Sequence, residues 1–178
     1  MNPHYHFIAL SLIPKLGTLN IKNLIAFCGS PEEVFKQKRG HLLKIPGVGP
    51  LVADSILKAN VFQAVDSELE FLEKYQIKVL SYLDEAYPKR LSHCADGPIL
   101  LYVKGNADLN PKKSLAIVGT RKATSFGKDW VAKFIEECKH FDLQVVSGMA
   151  LGIDAQAHKS ALYFKLNTIG VLGHPLNT

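Results

Sequence analysis

The sequence predicts an α/β protein in which a small all-helical domain precedes a doubly wound, mainly parallel sheet. Two segments predict the sheet, because Leu115–Lys122 (LAIVGTRK) and Val145–Asp154 (VVSGMALGID) both pass from apolar to small and polar residues, and a helical pattern follows each. Such continuous apolar runs are typical of parallel strands that are buried on both faces. A proline-turn-helix pattern that occurs twice near the amino terminus predicts the helical domain. We therefore expect domains at 1–65 and 66–178.

The length, the hydrophobic fraction and the distribution of charge limit the size of the core and the kind of binding partner. With 178 residues, 47% of them hydrophobic, the chain can bury one good core, or one core and a small satellite domain. The net charge of +5 divides into +4 for residues 1–65, −3 for 66–110 and +4 for 111–178. Basic charge thus collects in the two segments that carry motifs, which suits a polyanionic partner without requiring one.

Cysteine usage and the absence of targeting signals indicate a cytoplasmic setting. Cys28, Cys94 and Cys138 are odd in number and widely spaced, and no CxxC or Cys/His ligand pattern occurs. Reduced thiols are expected, with no disulfide, no metal site and no cofactor. The sequence has no basic and apolar leader and no apolar run of membrane-spanning length, so we expect a soluble protein without membrane association.

The amino-terminal segment contains an internal repeat. Ile45–Ile56 (IPGVGPLVADSI) aligns without gaps on Ile13–Leu24 (IPKLGTLNIKNL), a shift of 32 residues. The second copy resembles the helix-hairpin-helix motif, whose turn presents backbone N–H groups to a nucleic-acid phosphate without reading sequence. The resemblance implies a secondary phosphate contact at Gly47 and Gly49, whereas the first copy has Lys15 in place of the first glycine. A hairpin that serves only packing or partner contact is the open alternative.

The remaining elements follow from periodicity and turn residues. Ser30 is expected to cap a helix that begins at Pro31, and Thr124 or Ser125 is expected to cap a helix that ends near residue 140. Trp130, on that helix, is predicted to pack rather than bind. Further helices are predicted at 66–74, 87–91 and 155–165, and further strands at 77–80, 98–103 and 168–172.

Asp154 and His158 are the polar residues nearest the second glycine-rich segment that could carry chemistry. Asp154 is placed to cap the helix over 155–165, and we favour this interpretation over a catalytic role. His158 lies four residues later on the same helix face, so it could hydrogen-bond Asp154 or the adjacent loop. A purely structural histidine is at least as consistent with the pattern.

The two glycine-rich turns predict a phosphate-binding cleft. In open α/β folds the turns after parallel strands lie side by side at the carboxyl edge of the sheet, where ligands bind. Gly119, Gly148 and Gly152 would let backbone approach a ligand, and the following helix amino termini favour anions. Arg121 adds a guanidinium fork suited to phosphate. Phe126 could stack on a base, although the alternative, packing in the core, is favoured.

These segments also resemble a known family. Ile117–Arg121 (IVGTR), Gly127 and Ser147–His158 (SGMALGIDAQAH), with Pro98–Gly105 (PILLYVKG) upstream, are similar to the DNA-processing protein A (Smf) family of bacteria. The resemblance implies a SAM-like helical domain and a Rossmann-like domain that binds single-stranded DNA, protects it during natural transformation and loads RecA recombinase. The implied nucleic-acid-binding residues are Gly119, Thr120, Arg121, Lys122, Phe126, Gly127, Ser147, Gly148 and Gly152.

Family members continue beyond the position of Leu172 with further strands and helices. Those elements supply part of the basic pocket, the dimer interface and much of the RecA-contacting surface. We therefore expect the sequence to be truncated within the Rossmann-like domain. Because a homodimer and RecA loading depend on those later elements, we expect them of a longer chain that contains the elements.

Two other classes of function stay open beside DNA binding without chemistry. An enzyme of the same fold could act on a nucleotide or a sugar phosphate, and Asp154 and His158 would then have to carry the reaction. The G-x-G-x-x-G dinucleotide signature and the Pro-Gly-Gly-x-Gly-Thr run of related lyases and phosphoribohydrolases are both absent from the sequence. A scaffold that binds only proteins is the third possibility. We expect a binding protein and no enzyme.

Overall fold

The computed structural model describes residues 2–176, which form two compact units that divide between Gly105 and Asn106. We call them the amino-terminal unit and the carboxyl-terminal unit. Ile77, Ile99 and Leu100 belong to the same buried core as the amino-terminal helices. This shared core places the strand pair around them in the amino-terminal unit, so the predicted boundary at residues 65 and 66 does not mark the division.

Short helices and one strand pair build the amino-terminal unit. The Glu33 N–H donates to Ser30 Oγ over 3.2 Å, which confirms the predicted cap. The predicted helix at 66–74 is longer than expected and begins at Phe62. Strands β1 and β2 pair antiparallel, with Lys78 opposite Val103. The elements are α1 (Tyr5–Ser11), α2 (Thr18–Cys28), α3 (Pro31–Phe35), α4 (Arg39–Leu42), α5 (Pro50–Leu57), α6 (Phe62–Lys74), β1 (Lys78–Ser81), α7 (Lys89–Ser92) and β2 (Leu100–Val103).

The sequence repeat is also a repeat of backbone conformation. Lys15 and Gly47, which occupy the same position in the two copies, both lie in the left-handed region, with φ of 65° and 83°. Gly17 and Gly49 then cap α2 and α5 with the same extended conformation. The two copies thus form the same turn, although only one of them has the glycine that this conformation favours.

The carboxyl-terminal unit is a three-stranded parallel sheet in the order β3-β4-β5. Helices α8 and α9 pack on each other, so both crossovers lie on one face of the sheet. The central strand β4 is largely buried, whereas β3 and β5, with one strand neighbour each among the described residues, are partly exposed. The elements are β3 (Ser114–Ala116), α8 (Ser125–Cys138), β4 (Gln144–Ser147), α9 (Ile153–Tyr163) and β5 (Asn167–Gly170).

Candidate functional site

Two loops meet at the carboxyl edge of the parallel sheet, as the sequence predicted. The first loop (residues 117–124) follows β3 and the second loop (residues 148–152) follows β4. The Ile153 N–H, at the start of α9, donates to the Thr120 carbonyl over 3.2 Å. Beneath the loops, Ser147 Oγ donates to the Ile117 carbonyl over 2.6 Å. These hydrogen bonds connect the first loop to the elements on either side of the second loop.

Asp154 joins the two loops from within. Its side chain is 6% exposed, and Oδ1 accepts the Gly119 N–H while Oδ2 accepts the Gly148 N–H, each over 3.2 Å. The cap of α9 is Gly152, with no side-chain hydrogen bond, so the predicted capping role of Asp154 is wrong. Because a carboxylate already holds these two loop N–H groups, a bound phosphate has to be held by other groups.

The three loop glycines permit close packing of one loop on the other. A Cβ at Gly119 would lie 2.7 Å from the Ile153 side chain, and one at Gly148 would lie 2.9 Å from Asp154 Oδ2. Gly152, with φ of 88°, lies against the backbone of the first loop, where a Cβ would be 2.7 Å from the Arg121 carbonyl carbon. The space beside each glycine is thus filled by protein atoms, where the sequence suggested room for a ligand.

The outward side of the first loop carries the positive charge. Arg121 and Lys122 are exposed, and within residues 2–176 neither side chain has an ion-pair or hydrogen-bond partner. The Lys122 N–H donates to Thr120 Oγ1 over 3.2 Å, which fixes the turn between the two cations. The structure therefore brings a free guanidinium and a free ammonium together at the edge of the site, on a loop held in place by Asp154.

Phe126 lies in the first turn of α8, four residues after Lys122 in the sequence. Its ring is 77% exposed, so the alternative that it packs in the core is wrong. Thr124 caps the helix by accepting the Gly127 N–H over 3.2 Å, which confirms one of the two predicted caps. Gly127 itself is half-buried and its N–H is used by this cap. The first turn of α8 thus holds an aromatic face open to solvent.

Trp130, which was predicted to pack, is not buried in the core. The side chain is 58% exposed and not packed in the core. Its ring stacks on Phe134 with centroids 5.2 Å apart and planes 6° apart. The signal that could have found it is spacing, because Phe126, Trp130 and Phe134 follow one another at i, i+4 and i+8 and so share one side of a helix.

Ser147 and His158 face the interior. Ser147 is only 3% exposed, so it supports the loops from below and does not line their outer surface. His158 Nδ1 donates to Thr168 Oγ1 over 2.7 Å, because the Thr168 hydroxyl proton is donated to the Val145 carbonyl over 3.0 Å. His158 Nε2 is buried without a partner among the described residues. The structure therefore does not bring His158 to Asp154.

The hairpin glycines lie in the amino-terminal unit. A Cβ at Gly47 would lie 3.0 Å from Asn20 Oδ1 of α2, and Asn23 Nδ2 donates to the Pro46 carbonyl over 3.3 Å. The second turn is thus packed against the helix of the first copy. Gly49 is exposed at the start of α5. A phosphate contact at these two glycines stays a prediction.

Three further features of the described residues concern metal binding, thiol chemistry and membrane-spanning helices. Residues 2–176 contain no cluster of three or more His, Cys, Asp or Glu side chains that could hold a metal ion. Burial raises the pKa of the Cys28 and Cys138 thiols, with Glu33 and Glu137 respectively adding to the rise, so both thiols are protonated at neutral pH. Within the same residues, no helix has the length and apolar character needed to cross a membrane.

Comparison with known proteins points to one family. Residues 78–178 match the family described as DNA recombination-mediator protein A. The chain is 37% identical to the DNA processing protein DprA of Streptococcus pneumoniae, over 69% of this chain and 43% of that protein. It is 31% identical to the protein Smf of Synechocystis, over 97% of this chain and 44% of that protein.

A solved structure gives the same result for the fold. The X-ray structure of DNA processing protein A from Streptococcus pneumoniae superimposes with a TM-score of 0.68 at 28% identity, covering 98% of this chain and 59% of that chain. This match supports the prediction of a helical segment followed by a Rossmann-like domain. The chain spans somewhat under half the length of the two curated relatives above.

Proposed function

Because the chain belongs to the DNA recombination-mediator protein A family, we propose that its carboxyl-terminal unit binds single-stranded DNA through the first loop. The observation that carries the proposal is a pair of exposed cations, Arg121 and Lys122, that have no side-chain partner within residues 2–176 and lie on a loop bonded to Asp154. A guanidinium fork matches two phosphate oxygens. Since the loop is already ordered, binding costs little conformational entropy.

The preference for a single strand comes from Phe126. Its ring is 77% exposed, and an unpaired base can stack on such a face, whereas a base within a duplex presents only its edges. Phosphate contacts and stacking do not read sequence. We expect binding that tolerates most sequences and weakens as salt concentration rises.

The internal hydrogen bonds favour binding over an enzyme that acts on a nucleotide or a sugar phosphate. Both carboxylate oxygens of Asp154 accept backbone N–H groups. His158 is bonded to Thr168 and not to Asp154. A general acid or base must reach its substrate proton directly or through one water, and neither side chain is placed to do so.

The wider cellular role is a further proposal, because the relatives that suggest it are longer than this chain. Its relatives are named for DNA processing and its family for DNA recombination mediation. We extend this to DNA uptake in natural transformation, with protection of the incoming strand and loading of RecA recombinase in the cytoplasm. A homodimer is part of that proposal. RecA-dependent ATP hydrolysis on a coated oligonucleotide, with and without the chain, would test the loading step.

The binding proposal is tested by fluorescence anisotropy of a labelled oligothymidylate. We compare the unaltered chain with Arg121→Glu and, as a matched control, with Lys165→Glu. Lys165 is an exposed cation between α9 and β5, at the opposite edge of the sheet. Binding that is lost in Arg121→Glu and kept in Lys165→Glu supports the proposal. Equal binding by both variants, or no binding at low salt, would overturn it.

We propose a second phosphate contact at the hairpin turn of Gly47 and Gly49. Lys44 and Lys58 are exposed and flank the repeat segment Ile45–Ile56 in sequence, with Lys58 at the far end of α5, so their charge would add to the backbone N–H groups. The double replacement of these lysines by glutamate should weaken DNA binding while leaving the fold intact. Unchanged binding would assign the hairpins to packing.

A further inference from the structure

The exposed side of α8 carries aromatic residues where a solvent-facing helix would carry polar ones. Phe126 is 77% exposed and Trp130 is 58% exposed, and Phe134 is half-buried beneath the Trp130 ring. We call these three residues the aromatic strip. The opposite side of α8 buries Val131 and Ile135 against the sheet. The strip is therefore not needed for the core of the carboxyl-terminal unit.

The charge around the strip is positive. Residues 121–135 contain four Lys or Arg residues and one Asp, a net charge of +3. Lys133 falls on the same side of the helix as Phe126 and Trp130, all three within about 60° of arc at 3.6 residues per turn. Lys128 and Lys133 are exposed, and neither has an ion-pair partner within residues 2–176. Glu136 and Glu137 end this positive stretch.

We propose that the aromatic strip is a base-stacking track that continues from the phosphate-binding loop along α8, with Trp130 as its main platform. This inference rests on the proposed function and adds a subsite to it. Alternation of flat aromatic faces with unpaired cations is the pattern that binds single-stranded nucleic acid. A surface built for another copy of the chain would need an apolar patch, which these lysines interrupt.

The geometry sets the length of the track. From Phe126 to Phe134 the helix rises about 12 Å, which corresponds to about four stacked bases at a spacing of roughly 3.4 Å. The Trp130 and Phe134 rings are stacked and nearly parallel, with their planes 6° apart. The pair therefore holds the indole in one orientation, with its outer face toward solvent, and little side-chain entropy remains to be lost when a base stacks on it.

Trp130 reports on this track directly, because it is the single tryptophan of the 178-residue chain. Oligothymidylate is added to the protein while tryptophan emission is recorded, and anisotropy of a labelled oligonucleotide measures binding in parallel. We expect the emission to be quenched with the same midpoint as the anisotropy change. An oligomer of abasic sugar phosphates should bind more weakly and leave the emission unchanged.

Substitution separates stacking from apolar contact. Trp130→Leu should weaken oligothymidylate binding by about ten-fold, whereas Trp130→Phe should recover most of the loss, since a base stacks on either ring. Tyr163→Leu is the matched control, because Tyr163 is also an exposed aromatic residue and lies at the far end of α9. Its replacement should leave affinity within two-fold.

The outcomes distinguish this inference from the function on which it rests. Oligonucleotide binding that depends on Arg121 but leaves Trp130 emission and Trp130→Leu affinity unchanged would overturn the track and keep the binding proposal. No binding by anisotropy would overturn the binding proposal itself. Emission that shifts with protein concentration before any DNA is added would assign the strip to a contact between copies and would also overturn the track.

Discussion

The carboxylate of Asp154 accepts the backbone N–H of Gly119 over 3.2 Å, a contact between residues 35 positions apart. The same side chain also accepts the Gly148 N–H. A buried acid thus occupies the inner side of the loops at the place where open α/β folds often bind an anion. Hydrogen bonds to this acid connect the loops, and the outward Arg121 and Lys122 side chains have no partner among residues 2–176.

Replacing Asp154 should destabilise the carboxyl-terminal unit. In Asp154→Ala the Gly119 and Gly148 N–H groups lose a charged acceptor, at a cost of about 2–4 kcal/mol in the free energy of unfolding. Urea denaturation followed by Trp130 fluorescence measures this, because Trp130 lies in that unit. Asp129→Ala, which removes an exposed acid of α8, should stay within about 0.5 kcal/mol. Equal effects of the two changes would contradict the bridging role.

Gly152→Ala should be harmful for a different reason. The position has a φ of 88°, and a Cβ would be forced onto the Thr120 carbonyl oxygen and within 2.7 Å of the Arg121 carbonyl carbon. Strain of this kind costs about 1–3 kcal/mol before the clash is counted. We expect lower stability and a displaced first loop, and therefore weaker DNA binding. Gly173→Ala, where a Cβ meets no atom of residues 2–176 within 4 Å, should change neither property.

Substitutions in the two hairpin turns should change the stability of the amino-terminal unit in opposite directions. Lys15 holds a left-handed conformation, with φ of 65°, so Lys15→Gly should stabilise the amino-terminal unit by about 0.5–1 kcal/mol. Gly47→Ala should destabilise it by at least about 1 kcal/mol, because a Cβ would also lie 3.0 Å from Asn20 Oδ1. Thermal unfolding followed by far-ultraviolet circular dichroism compares the two. Destabilisation by Lys15→Gly would show that the lysine side chain is needed at the turn.

Asp84 should make the amino-terminal unit sensitive to acid. Burial alone would raise the pKa of its carboxyl, but the Ser81 N–H and the His4 Nε2–H, each 2.7 Å from Oδ2, outweigh burial and lower the pKa. The stabilisation is therefore present above the ordinary aspartate pKa of about 3.9 and is lost as pH falls through the lower folded value.

Comparison of the unaltered chain with Asp84→Asn isolates the contribution of the Asp84 charge to stability. The amide oxygen can still accept a hydrogen bond but does not titrate in this range. The difference in melting temperature between the two proteins should be constant near neutral pH and shrink below pH ~4. A difference that does not change with pH would show that the Asp84 charge contributes nothing to stability.

The strands, two of the helix caps and the meeting of the two loops could be predicted from sequence, because each depends on local pattern. Ser30 and Thr124 cap their helices as expected, and the apolar runs before Gly119 and Gly148 contain the parallel strands β3 and β4. The repeat was visible for the same reason. Its alignment placed Lys15 opposite Gly47, and the backbone repeats although the residue type does not.

The roles of Asp154 and Trp130 could not be predicted, because both depend on contacts between distant residues. An aspartate at a helix start fits a cap equally well, and only the fold brings Gly119 to its carboxylate. Tryptophan side chains are highly buried on average, so packing in the core was the expectation for Trp130. Its exposure depends on which arc of α8 meets the sheet, and Val131 and Ile135 occupy that arc.

The salt dependence of oligothymidylate binding tests the central claim most directly. For a single strand, the slope of log affinity against log salt concentration changes by about 0.7 for each phosphate contact. If Arg121 holds a phosphate, Arg121→Gln should give a slope shallower by about that amount, whereas Lys165→Gln should keep the slope of the unaltered chain. Equal slopes for all three proteins would show that Arg121 holds no phosphate and would contradict the account of the first loop given above.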